Sequence, residues 1–150
     1  MSDHRIEYHV RRATSETVVV IERVTLPGVR FGEPAIKEVR TNVPVTVIHH
    51  SPTGFEFGYS GSGPADLALN ILNWFVPPGY GAGSPIRCFN GFCSRTAWEA
   101  HHEFLRYWIA PLDRDQGGQF QGQAILDWIE DWRIRAPARS VMRRGGDERS

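Results

Sequence analysis

Several features that assign a protein to a class are scarce in this chain of 150 residues. Lys+Arg and Asp+Glu number 17 each, so the net charge is zero and no overall basic field favours nucleic acid or an anionic membrane. The longest mostly apolar run, residues 65 to 76, is interrupted by Asp66, Asn70 and Asn73 and is too short to span a bilayer. We therefore expect no membrane association.

Cysteine is also scarce, since the chain contains only Cys88 and Cys93. The first ten residues lack the apolar core of a signal peptide. Two cysteines without an export signal favour a reducing compartment, because disulfides persist mainly in oxidising ones. We expect a cytoplasmic protein that is long enough to bury its own core without disulfides or a cofactor.

Familiar catalytic motifs are missing as well. The chain contains no G-x-x-x-x-G-K-[ST], no G-x-S-x-G and no H-E-x-x-H. His49 and His50 end a predicted strand near Glu56, and a histidine beside a carboxylate can act as a general base. This region is nevertheless richer in glycine, proline and aromatic residues than in titratable ones, so we predict no catalytic residues and favour a non-enzymatic protein.

The pattern along the chain is typical of strands first and helices second. Alternating or β-branched residues predict strands over residues 5–12, 17–26, 37–41, 43–50 and 55–60, the last two paired across a turn at residues 51–54. Helices are predicted from Pro64, from Thr96 with Glu99 as a capping box, and from about Gln119. The expected fold is α+β, with a small, mainly antiparallel sheet of three to four strands covered on one face by about three helices.

The C-terminal segment differs in composition from the rest. Residues 133–150 hold six arginines against Asp147 and Glu148, with two adjacent glycines. We predict a single α+β domain over residues 1–132 and an Arg-rich flexible tail over residues 133–150. We expect no nucleic-acid contact elsewhere than in this tail, because the body without the tail is net acidic.

The stretch "GFEFGYSGSGPADLALNIL", residues 54–72, places a glycine-rich loop before a helix. Backbone N–H groups at such a helix start can bind an anion. The candidate ligand-binding residues are His50, Tyr59, Ser60, Gly61, Ser62, Gly63 and Asp66. Pro64 removes one N–H group and Asp66 repels anions, however. The alternative is that the glycines only permit a tight junction between a strand and a helix.

The sequence "CFNGFC", residues 88–93, predicts a hairpin with Asn90-Gly91 at its turn. Cys88 and Cys93 would then face each other as free thiols, as a disulfide or as two zinc ligands with His101 as a third. Successive helical residues point about 100° apart, so we expect only one of His101 and His102 to join such a site. Zinc is therefore an alternative to the absence of any cofactor.

Residues 49–72, "HHSPTGFEFGYSGSGPADLALNIL", resemble the signature of an uncharacterised domain family of small phage and bacterial proteins. The shared pattern is His-Ser-Pro, then Gly-Phe-Glu, then Gly-Tyr-x-Gly-Ser-Gly-Pro-Ala. Phe57 stands where the pattern has Trp, and Ser60 where it has Gly. The resemblance implies a small cytoplasmic α+β domain, often encoded by mobile elements, without a named activity.

Two functions remain open from the sequence. We favour a small cytoplasmic binding or accessory protein, encoded by a phage or mobile element, that contacts a host or phage protein through residues 50–66. The alternative is a protein that sequesters or hydrolyses a nucleotide-like anion on Gly61-Ser62-Gly63. A protein-binding surface predicts exposed aromatic rings at Phe55, Phe57 or Tyr59, whereas a ligand site predicts a pocket lined by residues 61–63.

Overall fold

The computed structural model describes residues 10–147, and in the last helix it describes no side chain beyond residue 136. The elements are β1 (Val18–Leu26), β2 (Ile36–Thr41), α1 (Ser62–Phe75), β3 (Ile86–Arg87), β4 (Phe92–Cys93), α2 (Arg95–Phe104), β5 (Gly118–Gln121) and α3 (Gly122–Asp147). The predicted α+β class is confirmed. The strand predicted over residues 5–12 falls mostly outside the described residues, and residues 10–12 have no regular secondary structure.

The main sheet is antiparallel and has the order β2-β1-β5. Ile21 in β1 lies opposite Thr41 of β2 on one side and Gly118 of β5 on the other. Val19 and Ile21 are fully buried, as expected for the inward residues of a β-branched strand. The strands predicted over residues 17–26 and 37–41 are thus confirmed as β1 and β2.

The strands predicted over residues 43–50 and 55–60 are wrong. Neither segment is a strand, and Ile48 forms only an isolated bridge with Asn90. The backbone instead bonds to side chains of α1: the Asn70 Oδ1 accepts the N–H groups of Thr46 and Val47 at 2.8 and 3.1 Å. Because helix side chains satisfy these donors, the segment has no need of a strand partner.

Helix α1 is the central element of the fold. It begins two residues before Pro64 and ends two residues before Pro77, close to the predicted bounds. Its predicted apolar face is buried, and the opposite face is buried too. That second face carries Asp66, Asn70 and Asn73, spaced three and four residues apart, so a polar stripe runs inside the protein and bonds to the loops around it.

Helix α2 begins at Arg95, capped by Ser94, whose Oγ accepts the N–H of Ala97 at 3.1 Å. The predicted capping box at Thr96 and Glu99 is therefore wrong, because a better cap lies two residues earlier. A π-helical turn, Leu105–Ile109, continues α2 as far as the predicted stop before Pro111. Within the described residues, no helix combines the length and apolarity needed to cross a bilayer.

Helix α3 starts later than predicted because residues 118–121 pair with β1 as β5. The N–H of Gly122 donates to the carbonyl of Thr17 at 2.6 Å, which ties the helix start to the beginning of β1. Rings of α3, β5 and α2 meet nearby, with Phe104 and Trp128 centred 5.3 Å apart. The backbone of α3 extends to Asp147, and the division into a domain and a flexible tail at residue 133 stays a prediction.

Candidate functional site

The glycine loop packs closely against the protein itself. A Cβ atom at Gly61 would lie 2.6 Å from the Tyr59 ring, and one at Gly63 would lie 2.8 Å from the Cβ of Glu56. Gly61 has an extended backbone that any residue adopts, so its small size is the relevant property. Ser60 and Ser62 are exposed. The glycines are thus explained by packing, and anion binding at residues 61–63 stays a prediction without geometric support.

The aromatic residues around this loop are mostly interior. Phe57 is fully buried, Phe55 is half-buried, and Tyr59 is the most exposed of the three. The guanidinium of Arg23 lies 4.6 Å from the centre of the Phe57 ring. Of the three rings that we expected at a partner surface, Tyr59 is therefore exposed, whereas Phe57 and Phe55 supply core contacts.

Arg23 and Glu56 connect β1 to this loop. The Nη2 of Arg23 lies 2.6 Å from Oε1 of Glu56, and its Nε donates to the carbonyl of Arg114 at 2.7 Å. The hydrogen bond from Arg23 lowers the pKa of Glu56, and burial opposes that shift. This ion pair fixes the position of residues 55–57 beside the sheet.

The two cysteines lie together but do not form a disulfide. Their Sγ atoms are 3.6 Å apart, and both are buried free thiols. The predicted hairpin turn is wrong by one residue. The backbone N–H of Cys88 donates to the carbonyl of Gly91, so the two turn residues are Phe89 and Asn90. Cys93 consequently lies opposite Ile86 and not opposite Cys88. Burial raises the pKa of both thiols, most strongly that of Cys93, which disfavours the reactive thiolate form.

Three histidines converge at the side of α2. The Nε2 atoms of His50 and His101 are 3.0 Å apart, and one ring nitrogen from each of His50, His101 and His102 lies within 4.8 Å of the others. His101 is fully buried, His50 is half-buried and His102 is exposed. In the part of the chain that the structure describes, His101 thus lies beside His50 and His102, and the thiol of Cys88 lies beside that of Cys93.

Backbone contacts position these rings. The buried carboxylate of Asp66 accepts the N–H groups of His50 at 2.9 Å and Ser51 at 2.8 Å. On α2, Nδ1 of His101 lies 2.6 Å from the carbonyl oxygen of Trp98. Since a carbonyl only accepts, Nδ1 carries the proton, and Nε2 of neutral His101 presents its lone pair toward His50.

Burial keeps the inner two rings uncharged. It lowers the pKa of His101 to about 4, and it lowers the pKa of His50 as well, although the nearby Asp66 opposes that effect. At neutral pH both imidazoles are therefore neutral and able to accept a hydrogen bond or bind a metal.

The cluster was only partly predictable. The sequence assigns His50 and His101 to different candidate sites, and it leads us to expect only one of His101 and His102 beside the two cysteines. In the structure the His50 ring lies beside α2, with its centre 5.2 Å from that of His101 and 5.8 Å from that of His102. The available signal was the recurrence of a His-His pair at residues 49–50 and 101–102.

A separate apolar feature lies at the connection of β1 and β2. Phe31 is fully exposed there, Val29 is 93% exposed, and Ile36 at the start of β2 is 58% exposed. Gly32, with φ of 87°, turns the chain directly after Phe31. We call residues 27–36 the apolar loop.

No curated protein and no solved structure matches this chain. The match to a family covers part of it, from β1 through α1 to residue 82, which includes the apolar loop, His50 and Asp66 but not α2. An uncharacterised family was the expectation from residues 49–72. Over residues 22–82 the chain is similar to a family of unknown function, DUF6166.

Proposed function

We propose that this chain is a small, non-enzymatic binding or accessory protein of the cytoplasm that acts by contacting another protein. Its origin in a phage or mobile element, and hence a host or phage protein as partner, rests on the resemblance of residues 49–72. The observation that carries protein contact is the exposure of Val29 and Phe31 in the apolar loop.

The exposed side chains of Val29 and Phe31 do not stabilise the isolated chain by burial. Burying a Val or Phe side chain stabilises a protein by about 1.5–3 kcal/mol, and neither residue contributes this in the isolated chain. Single exposed apolar residues are ordinary, but Val29, Phe31 and Ile36 all belong to the one segment that connects β1 to β2. Aromatic rings that become buried on binding dominate the affinity of many interfaces.

The neighbouring strand offers a second means of contact. In the described part of the chain β2 pairs only with β1, so its outer backbone groups lie at the edge of the sheet. A partner strand could add to this edge while Phe31 enters an apolar pocket of the partner. Charged side chains on β2 disfavour nonspecific pairing of other strands with this edge, namely those of Lys37, Glu38 and Arg40.

Site-specific photo-crosslinking tests this function. A photoreactive phenylalanine analogue replaces Phe31 in one variant and Tyr107 in a matched control, because Tyr107 is an aromatic residue 63% exposed on the π-helical turn. In cells that carry the gene, we expect a discrete cross-linked protein at position 31 and not at position 107. The same partner should be lost when purified wild-type chain competes, and retained when Phe31→Ser chain competes.

Identical cross-linking patterns at positions 31 and 107 would contradict the proposal, as would equal competition by the two chains. Phe31→Ser itself should fold normally, since a fully exposed side chain contributes little to stability. Circular dichroism and a thermal melt of that variant verify this.

A further inference from the structure

We infer that His50, His101 and His102 bind one divalent transition-metal ion, with Zn²⁺ as the preferred ion. This site goes beyond the proposed protein contact and lies on different elements. It also differs from the zinc site predicted from the sequence, because its donors are three imidazoles and no thiol.

The spacing of the nitrogen atoms suits a shared ion. Two nitrogen ligands of tetrahedral zinc, each about 2.0–2.1 Å from the metal, lie about 3.3–3.4 Å apart. The 3.0 Å between the Nε2 atoms of His50 and His101 is close to this value, and the third nitrogen lies within 4.8 Å. Binding would require the exposed His102 ring to move closer to the other two.

The buried ligand is already oriented for binding. The carbonyl of Trp98 holds the proton of His101 on Nδ1, which is the usual arrangement for a histidine that ligates through Nε2. Asp66 fixes the backbone of His50, and Ser94 caps the helix that carries His101 and His102. Two of the three ligands therefore lose little conformational freedom when the ion binds.

A hydrogen bond between His50 and His101 is the simpler alternative. It requires Nε2–H on His50 and explains the 3.0 Å distance on its own. It gives no role to His102, whose ring centre lies 5.8 Å from that of His50 and 4.1 Å from that of His101. The two alternatives therefore differ in whether His102 matters.

Imidazole nitrogen selects among metals. Ca²⁺ and Mg²⁺ prefer oxygen ligands, whereas Zn²⁺, Co²⁺, Ni²⁺ and Cu²⁺ accept nitrogen. Three protein ligands would leave a fourth position for water, and the exposed His102 gives solvent access to the cluster.

The first measurement is calorimetric titration of tag-free, full-length protein with ZnCl₂ at pH 7.5. We expect one ion per chain, and Tm should rise by about 5–10 °C when free Zn²⁺ reaches a hundred times its Kd. His102→Gln should weaken binding at least about tenfold with little effect on the fold, because this side chain is exposed. His49→Gln is the matched control, since His49 neighbours the cluster without belonging to it.

Co²⁺ absorption identifies the donors. Tetrahedral nitrogen coordination should give visible d–d bands without the near-ultraviolet charge-transfer band of a cobalt thiolate. The double variant Cys88→Ser/Cys93→Ser should keep both the bands and the affinity. The inference is overturned if wild-type protein does not bind Zn²⁺, if His102→Gln binds as tightly as His49→Gln, or if the thiol variant alone loses the ion.

Discussion

The carboxylate of Asp66 accepts the backbone N–H of Ser51 at 2.8 Å inside the protein, across fifteen positions of sequence. The same carboxylate accepts the N–H groups of His49 and His50. One helix side chain thus holds three successive backbone donors that the sequence assigns to the end of a strand.

Replacing Asp66 by alanine should be severely destabilising. The change leaves three backbone donors without their acceptor, and a hydrogen bond to a charged group contributes about 1.5–3 kcal/mol. We expect the free energy of unfolding to fall by at least about 3 kcal/mol, measured by urea denaturation. Asp127→Ala is the control, because Asp127 is exposed on α3 and should change stability by no more than about 0.5 kcal/mol. Equal effects of the two changes would show that Asp66 does not anchor the segment.

Gly63→Ala should destabilise the protein although alanine favours helices. The added Cβ would approach the Cβ of Glu56 to 2.8 Å and its backbone nitrogen to 3.2 Å. The helix-propensity gain is about 1 kcal/mol, while overpacking in a core costs about 1–3 kcal/mol. We expect a net loss of stability in a thermal melt, with Ser62→Ala at the exposed neighbour nearly neutral. A rise in Tm for Gly63→Ala would show that Glu56 moves aside freely.

Stability should depend on pH through the Arg23–Glu56 pair. The pKa of Glu56 is lowered in the folded chain below its ordinary value, chiefly by the hydrogen bond from Arg23, so the unfolded chain takes up this proton first as the pH falls. The contribution is fully present above that unfolded value and is lost as the pH falls through the folded pKa. Because Glu56 is about a third exposed, we expect a contribution below about 1 kcal/mol.

The measurement compares wild type with Glu56→Gln between pH 7 and pH 3. The difference in unfolding free energy between the two proteins should shrink as the pH falls. A difference that stays constant across this range would show that the ion pair does not contribute to the acid sensitivity of the protein.

Thiol labelling should be slow in the native protein. Cys93 is fully buried and burial raises its pKa, so neither access nor thiolate formation favours reaction. With an aromatic disulfide reagent at pH 8, we expect both cysteines to react at least about a hundredfold more slowly than in denaturant. Rapid labelling of one thiol in native buffer would show that the β3–β4 hairpin opens readily, and mass spectrometry would identify which.

Local patterns predicted the elements whose bonds are local or nearly so. The β-branched run at residues 18–26 and the Gly-Pro start of α1 define their elements almost without tertiary help. Residues 43–50 have an equally good strand pattern, but Asp66 and Asn70 supply acceptors that a pattern within the segment does not reveal. β5 was missed because four residues beside a helix carry too little periodicity to separate the two states.

The candidate site was harder to predict for the same reason. His50 and His101 are separated by 51 positions, and their contact depends on how α1 and α2 pack. Consecutive helical side chains diverge and so cannot both reach one distant residue, but a residue that lies against the helix, as His50 does, can be close to both. The exposure of Phe31 could not be predicted either, because the sequence indicates a long loop but not which of its side chains face solvent.

The polar stripe on α1 binds the main chain of residues 46–51 and the side-chain hydroxyl of Thr46. Every amino acid except proline presents the same N–H group, so the backbone bonds of residues 49–51 to Asp66 do not depend on which side chains those residues carry. The segment can therefore exchange most of its outward-facing residues while His50 keeps its place beside α2. Because the backbone path is fixed while its exposed side chains can vary, one fold could present different surfaces to different molecules.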